Sequence, residues 1–176
     1  MKYLSHYISP LGGITLSSDG ERLTGSWFDN EKYSNEFIAG NIEEKELHVF
    51  DDARRWLDVY FQGRDPGFLP DISLEYVTPF RREVCEIMLT IPYGKTMTYG
   101  QIAEIIGKRR GIERMSAQAV GGAVGHNPLS LIVPCHRVVG TGGSLTGYGG
   151  GIHIKEKLLI LEGVDMSDFF VPKKGF

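Results

Sequence analysis

The sequence predicts an α/β N-terminal domain, a small antiparallel sheet plus a helix. A mostly α C-terminal domain follows, with a helix-turn-helix and an active-site loop. Three observations predict it. Short strand-like runs near the N-terminus are joined by a turn signal and followed by an amphipathic helix. Helix-capping signatures recur after residue 78. A Pro-Cys-His sequence then follows the apolar run Leu131-Ile132-Val133, which reads as a buried strand. The expected boundary gives domains of 1–77 and 78–176.

Tyr3 to Ile8, Gly13 to Leu16 and Leu23 to Phe28 read as strands, and Asp19-Gly20 between the second and third is a hairpin signal. In Leu47 to Phe61, apolar residues recur every three or four positions, the spacing of an amphipathic helix. Pro70 to Thr78 reads as the crossing between domains. Thr78-Pro79 starts the next helix, with Thr78 as cap and Pro79 at the first position. Pro92-Tyr93-Gly94 is expected to stop it. Thr98 and Gln101 form a capping box for a second helix, which Gly107 is expected to end. Ser116 caps a third, Ala117 to Val124.

Helix, short loop, helix is the outline of a helix-turn-helix, and equally of a plain helical hairpin. The third helix carries Ala117, Ala119, Gly121, Gly122 and Ala123, which leave little side-chain bulk. A glycine inside a helix costs about 1 kcal/mol relative to alanine. A close neighbour, either packed protein or a nucleic-acid groove, would account for it.

The chain has 176 residues and a net charge of −3. That length supports one or two domains. No apolar run reaches the roughly 18 residues that span a bilayer, and residues 1–6 lack a signal-peptide pattern. The expectation is a cytoplasmic protein with no membrane partner. The cysteines Cys85 and Cys135 can form one disulfide, which such a compartment disfavours. Neither a metal site nor a cofactor is expected, because Cys and His do not cluster at ligand spacing. The charge is unevenly spread: residues 1–80 sum to −7 and residues 95–137 to +4. The basic centre holds Lys95, Lys108, Arg109, Arg110, Arg114 and Arg137. It reads either as a face for an anionic partner or as a solvated loop.

Pro134-Cys135-His136-Arg137-Val138 carries the chemistry. A thiolate is the attacking species, and a nearby imidazole favours it over the thiol. Cysteine is also among the most buried residue types and often acts as a small hydrophobe. Neighbours on a strand face opposite ways. Cys135 and His136 therefore cooperate only through a turn after Pro134 or a bridging water. Pro134 fixes φ and cannot extend a central strand, so the strand is expected to break there.

This pentapeptide has ordered companions: Ile91-Pro92-Tyr93-Gly94, Thr98-Tyr99-Gly100-Gln101, Asn127-Pro128, Gly147-Tyr148, Leu158-Leu159 and Glu162-Gly163. Together they resemble the O6-alkylguanine-DNA alkyltransferases, the methylated-DNA–protein-cysteine methyltransferases, from about Thr78 to Gly163. Residues 1–77 resemble that family only loosely. The resemblance implies direct-reversal repair, in which Cys135 takes the alkyl group from O6 of guanine in double-stranded DNA and is used once. It implies that His136 accepts the thiol proton through a water, and that Glu162 orients His136. It implies that Asn127 braces the chain near the cysteine. Tyr99, Val138, Tyr148 and Gly149 would contact the extruded base. Ser116, Ala117, Gln118 and Ala119 would lie in the minor groove. Lys155 matches a family lysine near the active-site loop. Read alone, Glu162 is a surface residue at the end of a helix from Lys155 to Leu161; the resemblance reverses that reading.

Two departures stand out. Gln118 occupies the position where many members carry an arginine that fills the gap left by the flipped base. The loop Lys108 to Met115 is longer and more basic than in several relatives, so Arg109 and Arg110 are expected to bind phosphate. Cys85 replaces a bulky aromatic and reads as core packing. The protein is expected to be a monomer. The alternatives are a non-enzymatic alkylguanine lesion-binding protein, a cysteine hydrolase, and a DNA-binding domain whose cysteine is inert.

Overall fold

The computed structural model describes residues 1–31, 39–113 and 115–173. Arg114 of the basic loop lies outside them. The chain divides into two compact units, Met1–Val77 with Pro128–Ile132, and Thr78–Asn127 with Val133–Phe176.

In the first unit β1 (Lys2–Ser9), β2 (Gly12–Ser18) and β3 (Leu23–Phe28) form an antiparallel meander. The Asp19-Gly20 turn joins β2 to β3, and Asp19 Oδ1 accepts the Glu21 and Arg22 N–H groups. A fourth strand, β4 (Ile42–Glu44), adds parallel to β1, so the sheet is mixed, in the order β3-β2-β1-β4. Its three residues are exposed and two are glutamates, which is why no apolar pattern announced it. Helix α1 (His48–Phe61) covers β1, β2 and β3. Its stripe of Val49, Phe50, Ala53, Trp56, Leu57 and Tyr60 is buried with Leu16, Leu23, Trp27 and Phe28. A large apolar side chain buried this way contributes about 1.5–3 kcal/mol.

β3 is an edge strand, and an open edge is a template for unwanted pairing. Two segments cover it. Ile72 bridges Leu23, with Leu23 N–H donating to Asp71 O and Ser73 N–H to Leu23 O. Leu129 bridges Ser26 in the same parallel sense. Part of the expected interdomain crossing is therefore hydrogen-bonded to β3.

The second unit is mostly helical. Helix α2 (Pro79–Met88) starts with Thr78 Oγ1 accepting from Arg81 N–H and Pro79 in the first turn. It ends four residues before Pro92. Helix α3 (Tyr99–Arg109) carries the complete capping box: Thr98 Oγ1 accepts from Gln101 N–H, and Gln101 Oε1 from Thr98 N–H. Gly107 does not end it. Gly107 is buried inside α3, and the helix closes two residues later. Gly111 N–H returns to Lys108 O and Ile112 N–H to Gly107 O, the paired bonds of a Schellman turn.

Helix α4 (Ala117–Gly125) is capped by Ser116 and packs on α2 and α3 through Val120, Ala123 and Val124. A Cβ added at Gly121 or Gly122 would meet nothing within 4 Å. The bare side of α4 is thus open among the described residues, and packing against them does not explain its glycines. A two-residue parallel ladder, β5 (Met97–Thr98) with β6 (Val138–Val139), ties the start of α3 to the chain just after Cys135. Helix α5 (Ile152–Leu161) follows, buried through Lys155, Leu158 and Leu159.

The expected strand over Leu131-Ile132-Val133 is absent. Leu131 and Ile132 form a turn, Leu131 has φ of 75°, and all three residues are buried. Prolines at 128 and 134 interrupt the backbone N–H ladder on both sides, so the run is apolar because it is buried, not because it is extended.

Candidate active site

Cys135 is placed by its two predecessors. Pro134 has φ −81° and ψ 68°, and Cys135 N–H donates to Val133 O at 2.8 Å. That is an inverse γ-turn. Asn127 Nδ2 donates to the same Val133 carbonyl at 2.8 Å, which fixes the turn from the end of α4. Cys135, His136 and Arg137 then make one 3-10 turn, not a strand. This is a turn after Pro134, one of the two routes that the sequence leaves for cooperation between Cys135 and His136. Cys135 is 6 % exposed. Cys85 and Cys135 are both buried and are not joined in a disulfide.

Behind the turn lies a buried ionic network. Glu162 caps the end of α5, and Gly163 supplies the left-handed residue (φ 81°) that turns the chain there. Gly163 N–H bonds Ile160 O and Val164 N–H bonds Leu159 O, a second Schellman turn. Glu162 Oε1 accepts from Gly94 N–H at 2.9 Å and from Arg137 Nε at 2.8 Å, and Oε2 accepts from His136 Nε2. Arg137 also donates to Ile91 O at 2.8 Å and lies over the Tyr93 ring. Ile91-Pro92-Tyr93-Gly94 therefore serves as a socket for the Glu162–Arg137 pair.

Burial would raise the Glu162 carboxyl, but the His136 hydrogen bond and charge, Arg137 and Gly94 N–H hold it at about 2. Burial pushes the His136 imidazole down, against the pull of Glu162, and the cations of Arg137 and Lys155 push the same way. A carboxylate only accepts, so the proton shared with Glu162 sits on Nε2. In the neutral ring Nδ1 is then the basic nitrogen.

A second cluster is built on Lys155. Lys155 is wholly buried; its Nζ donates to Val138 O and, at 2.8 Å, to Thr146 O. Tyr99 Oη donates to the same Thr146 carbonyl at 2.9 Å, and the Lys155 ammonium lies 5.8 Å from the Tyr99 ring centroid. Burial lowers the Lys155 ammonium to about 8, while the Cys135 charge opposes that fall. Burial raises the Tyr99 hydroxyl to about 12, and Cys135 adds to it. Both groups thus sense charge on Cys135. Gly147 (φ 76°) allows the loop to close on Tyr99: an added Cβ would stand 2.8 Å from Tyr99 Oη.

An open groove of about 520 Å³ is lined by Tyr99, Ala117, Gln118, Gly121, Thr146 and Gly147 among others. It joins the bare face of α4 to the loop that Lys155 holds. Cys135, Val138 and Tyr148 are buried and are not among its lining residues, and Gly149 is half-buried. Ser116, Gln118 and Ala119 are exposed.

Arg109 and Arg110 do not line this groove, and both pair with Glu83, at 3.6 and 3.2 Å. Arg137, counted in the basic centre by sequence, is 8 % exposed and neutralised by Glu162. It belongs to the interior, and its charge is not available to an anionic partner. Its structural part was missed, although its place within the pentapeptide was a signal. Cys85 is buried in α2, and burial raises its thiol to about 12, with Cys135 and Glu86 adding to that. Core packing fits it. Among the described residues no three His, Cys, Asp or Glu side chains are grouped to hold a metal ion.

This arrangement defines a protein in which a buried cysteine shares a 3-10 turn with the histidine of a buried His–Glu pair, in the same unit as a helix-turn-helix. Residues 79–164 match the family model for the 6-O-methylguanine DNA methyltransferase DNA-binding domain, and residues 2–70 match its ribonuclease-like domain. The chain is 41 % identical over 161 residues to a methylated-DNA–protein-cysteine methyltransferase of Methanosarcina acetivorans, covering 92 % of this chain and 98 % of that protein. The crystal structure of the Mycobacterium tuberculosis O6-methylguanine methyltransferase superposes with a TM-score of 0.77 at 40 % identity, covering 92 % and 93 % of the two chains. A structure of M. tuberculosis OGT in complex with DNA gives 0.76 at 39 %, covering 91 % and 92 %. The chain belongs to the O6-alkylguanine-DNA alkyltransferase family, the methylated-DNA–protein-cysteine methyltransferases.

Proposed function

We propose that this protein reverses O6-alkylguanine damage in double-stranded DNA by transferring the alkyl group to Cys135. The observation that carries the reading is the buried His136–Glu162 pair beside the Cys135 turn in a chain of this family. A thiol is a weak nucleophile at neutral pH and needs a base. His136 supplies it through Nδ1, by way of a water, and Glu162 stabilises the imidazolium that forms. The sulfur attacks the alkyl carbon, the S–C bond forms as the C–O6 bond breaks, and the electron pair leaves on the guanine oxygen. Nothing in the site expels a thioether, so each molecule acts once.

The target base must leave the stack, at a cost of a few kcal/mol. Tyr148 and the backbone of Val138 and Gly149 contact the extruded base, and Tyr99 crowds the flanking phosphate. Ser116, Ala117, Gln118 and Ala119 face the minor groove, where the glycine side of α4 permits close approach. Gln118 fills the vacated space with an uncharged side chain. No helix among the described residues is long and apolar enough to cross a membrane. We place the protein in the cytoplasm, as a monomer. The lesion-binding alternative is disfavoured because it has no use for Cys135 and its buried base.

Titration against a duplex with a single O6-methylguanine tests the reading. Restored guanine should plateau at one per protein molecule; repair beyond that ratio would point to turnover and a different chemistry.

Arg109 and Arg110 contact phosphate, with Glu83 as a competing anion. Each phosphate contact contributes about 0.9 to the slope of log affinity against log salt. Replacing both arginines by glutamine should therefore lower that slope by up to about 2. An unchanged slope in anisotropy titrations would remove these residues from the interface.

A further inference from the structure

Five residues, Pro128 to Ile132, link α4 to the Cys135 turn, yet they fold with the first unit. Their attachment is specific. Ser26 N–H donates to Pro128 O at 2.9 Å, and Ser130 N–H returns to Ser26 O at 2.8 Å. Ser130 Oγ donates to Glu31 Oε1 at 2.5 Å, while Glu31 Oε2 accepts from Phe28 N–H at 2.9 Å. Glu31 N–H bonds Phe28 O in turn. One carboxylate thus clips the linking segment to the end of β3. Leu129, Ser130, Leu131 and Ile132 are buried. Burial raises the Glu31 carboxyl to about 7, against both hydrogen bonds. A half-buried carboxylate held, among the described residues, by neutral donors is costly, so among these residues the clip is not a by-product of surface charge pairing.

The consequence lies in the chain. Val133, the first residue after the clipped segment, accepts the Asn127 and Cys135 bonds that shape the nucleophile's turn. We propose that β3 of the first unit anchors the lead-in to the Cys135 turn, with Glu31 and Ser130 as positioning residues for alkyl transfer. The inference rests on the function proposed above and gives the acidic N-terminal unit a part in it. Positioning errors of about 1 Å can cost a hundredfold in rate, so a clip remote from the sulfur can control it.

The test uses the full chain with Ser130→Ala, Glu31→Ala and Glu31→Gln. Gln keeps one acceptor for Phe28 N–H and a donor for Ser130 Oγ. Three quantities are read: lesion-duplex affinity, the single-turnover transfer rate at saturating protein, and amide hydrogen exchange by peptide. Ser130→Ala and Glu31→Ala should slow transfer about tenfold or more, the effect of one lost buried hydrogen bond. Affinity should stay within about twofold, and Glu31→Gln should restore most of the rate. Exchange should quicken in the peptide spanning 128–137 but not in α1 or α5. Unchanged transfer, or exchange that rises across the whole molecule, would overturn the anchor. Wild-type protein that transfers nothing would sink the repair function instead, and the exchange data would still decide whether the segment is anchored.

Discussion

Glu162→Gln should slow alkyl transfer by about 10²–10⁴-fold at pH 7, the range that general-base catalysis contributes. The wild-type carboxylate accepts from His136 Nε2, Arg137 Nε and Gly94 N–H. A glutamine has one acceptor oxygen and two donor hydrogens. If its amide donates to His136 Nε2, the imidazole proton moves to Nδ1 and the base points away from its water. The same change leaves the Arg137 guanidinium buried without an anion. Breaking a buried pair this way costs about 3–5 kcal/mol, so the variant should also lose stability in urea.

Acid titration gives an independent check on Glu162. Its carboxyl is held at about 2 in the fold, below the ordinary 4.5. The unfolded chain therefore binds a proton first as pH falls. The stabilisation is complete above about pH 4.5 and is lost as pH drops towards 2. Glu162→Gln should remove that component of the acid slope. Wild-type transfer in this variant would exclude Glu162 from the reaction.

Lys155→Met should separate reactivity from stability. The ammonium bonds two carbonyls that shape the active-site loop, Val138 O and Thr146 O, and interacts with charge on Cys135. A thiolate and this ammonium stabilise each other, and one pKa unit of such coupling is tenfold in thiolate population. Transfer at pH 7 should fall about tenfold or more, and should recover in part as pH rises and the thiol ionises unaided. Wild-type protein should lose its advantage above about pH 8, where Lys155 releases its proton.

Stability should respond differently. Lys155 titrates at about 8 in the fold against an ordinary 10.5. The unfolded chain holds the extra proton between those values, so wild-type stability gains from this residue as pH rises from 8 to 10.5. Methionine removes a buried ammonium, which offsets the two lost hydrogen bonds, and its urea midpoint at pH 7 should lie near wild type. A variant with full transfer activity would show that Lys155 only packs.

Local signals in the chain were legible. Thr78-Pro79, the Thr98–Gln101 box and Ser116 each cap a helix where capping chemistry placed them, because a cap involves residues three apart. The Cys135 turn was legible for the same reason, since Pro134 acts on its immediate neighbours. Contacts across long separations were not. His136 and Glu162 stand 26 positions apart, and read alone Glu162 was a surface residue; only the family pattern joined them.

Burial misled in two places. Leu131-Ile132-Val133 read as a strand because a buried turn and a buried strand share the same apolar composition. Arg137 counted as surface charge because a sum of charges carries no information about depth. Gly107 read as a helix stop, although the backbone closes on Gly111, whose turn depends on the carbonyls of residues 107 and 108.

The central claim is that Cys135 itself receives the alkyl group. Intact mass after incubation with a duplex carrying O6-methylguanine, followed by peptide mapping, tests it most directly. The expected result is one added methyl on Cys135, none on Cys85, unmodified guanine restored in the DNA, and no gain in Cys135→Ser. Tight lesion binding without any mass change would contradict the account and leave a lesion-binding protein of the same fold.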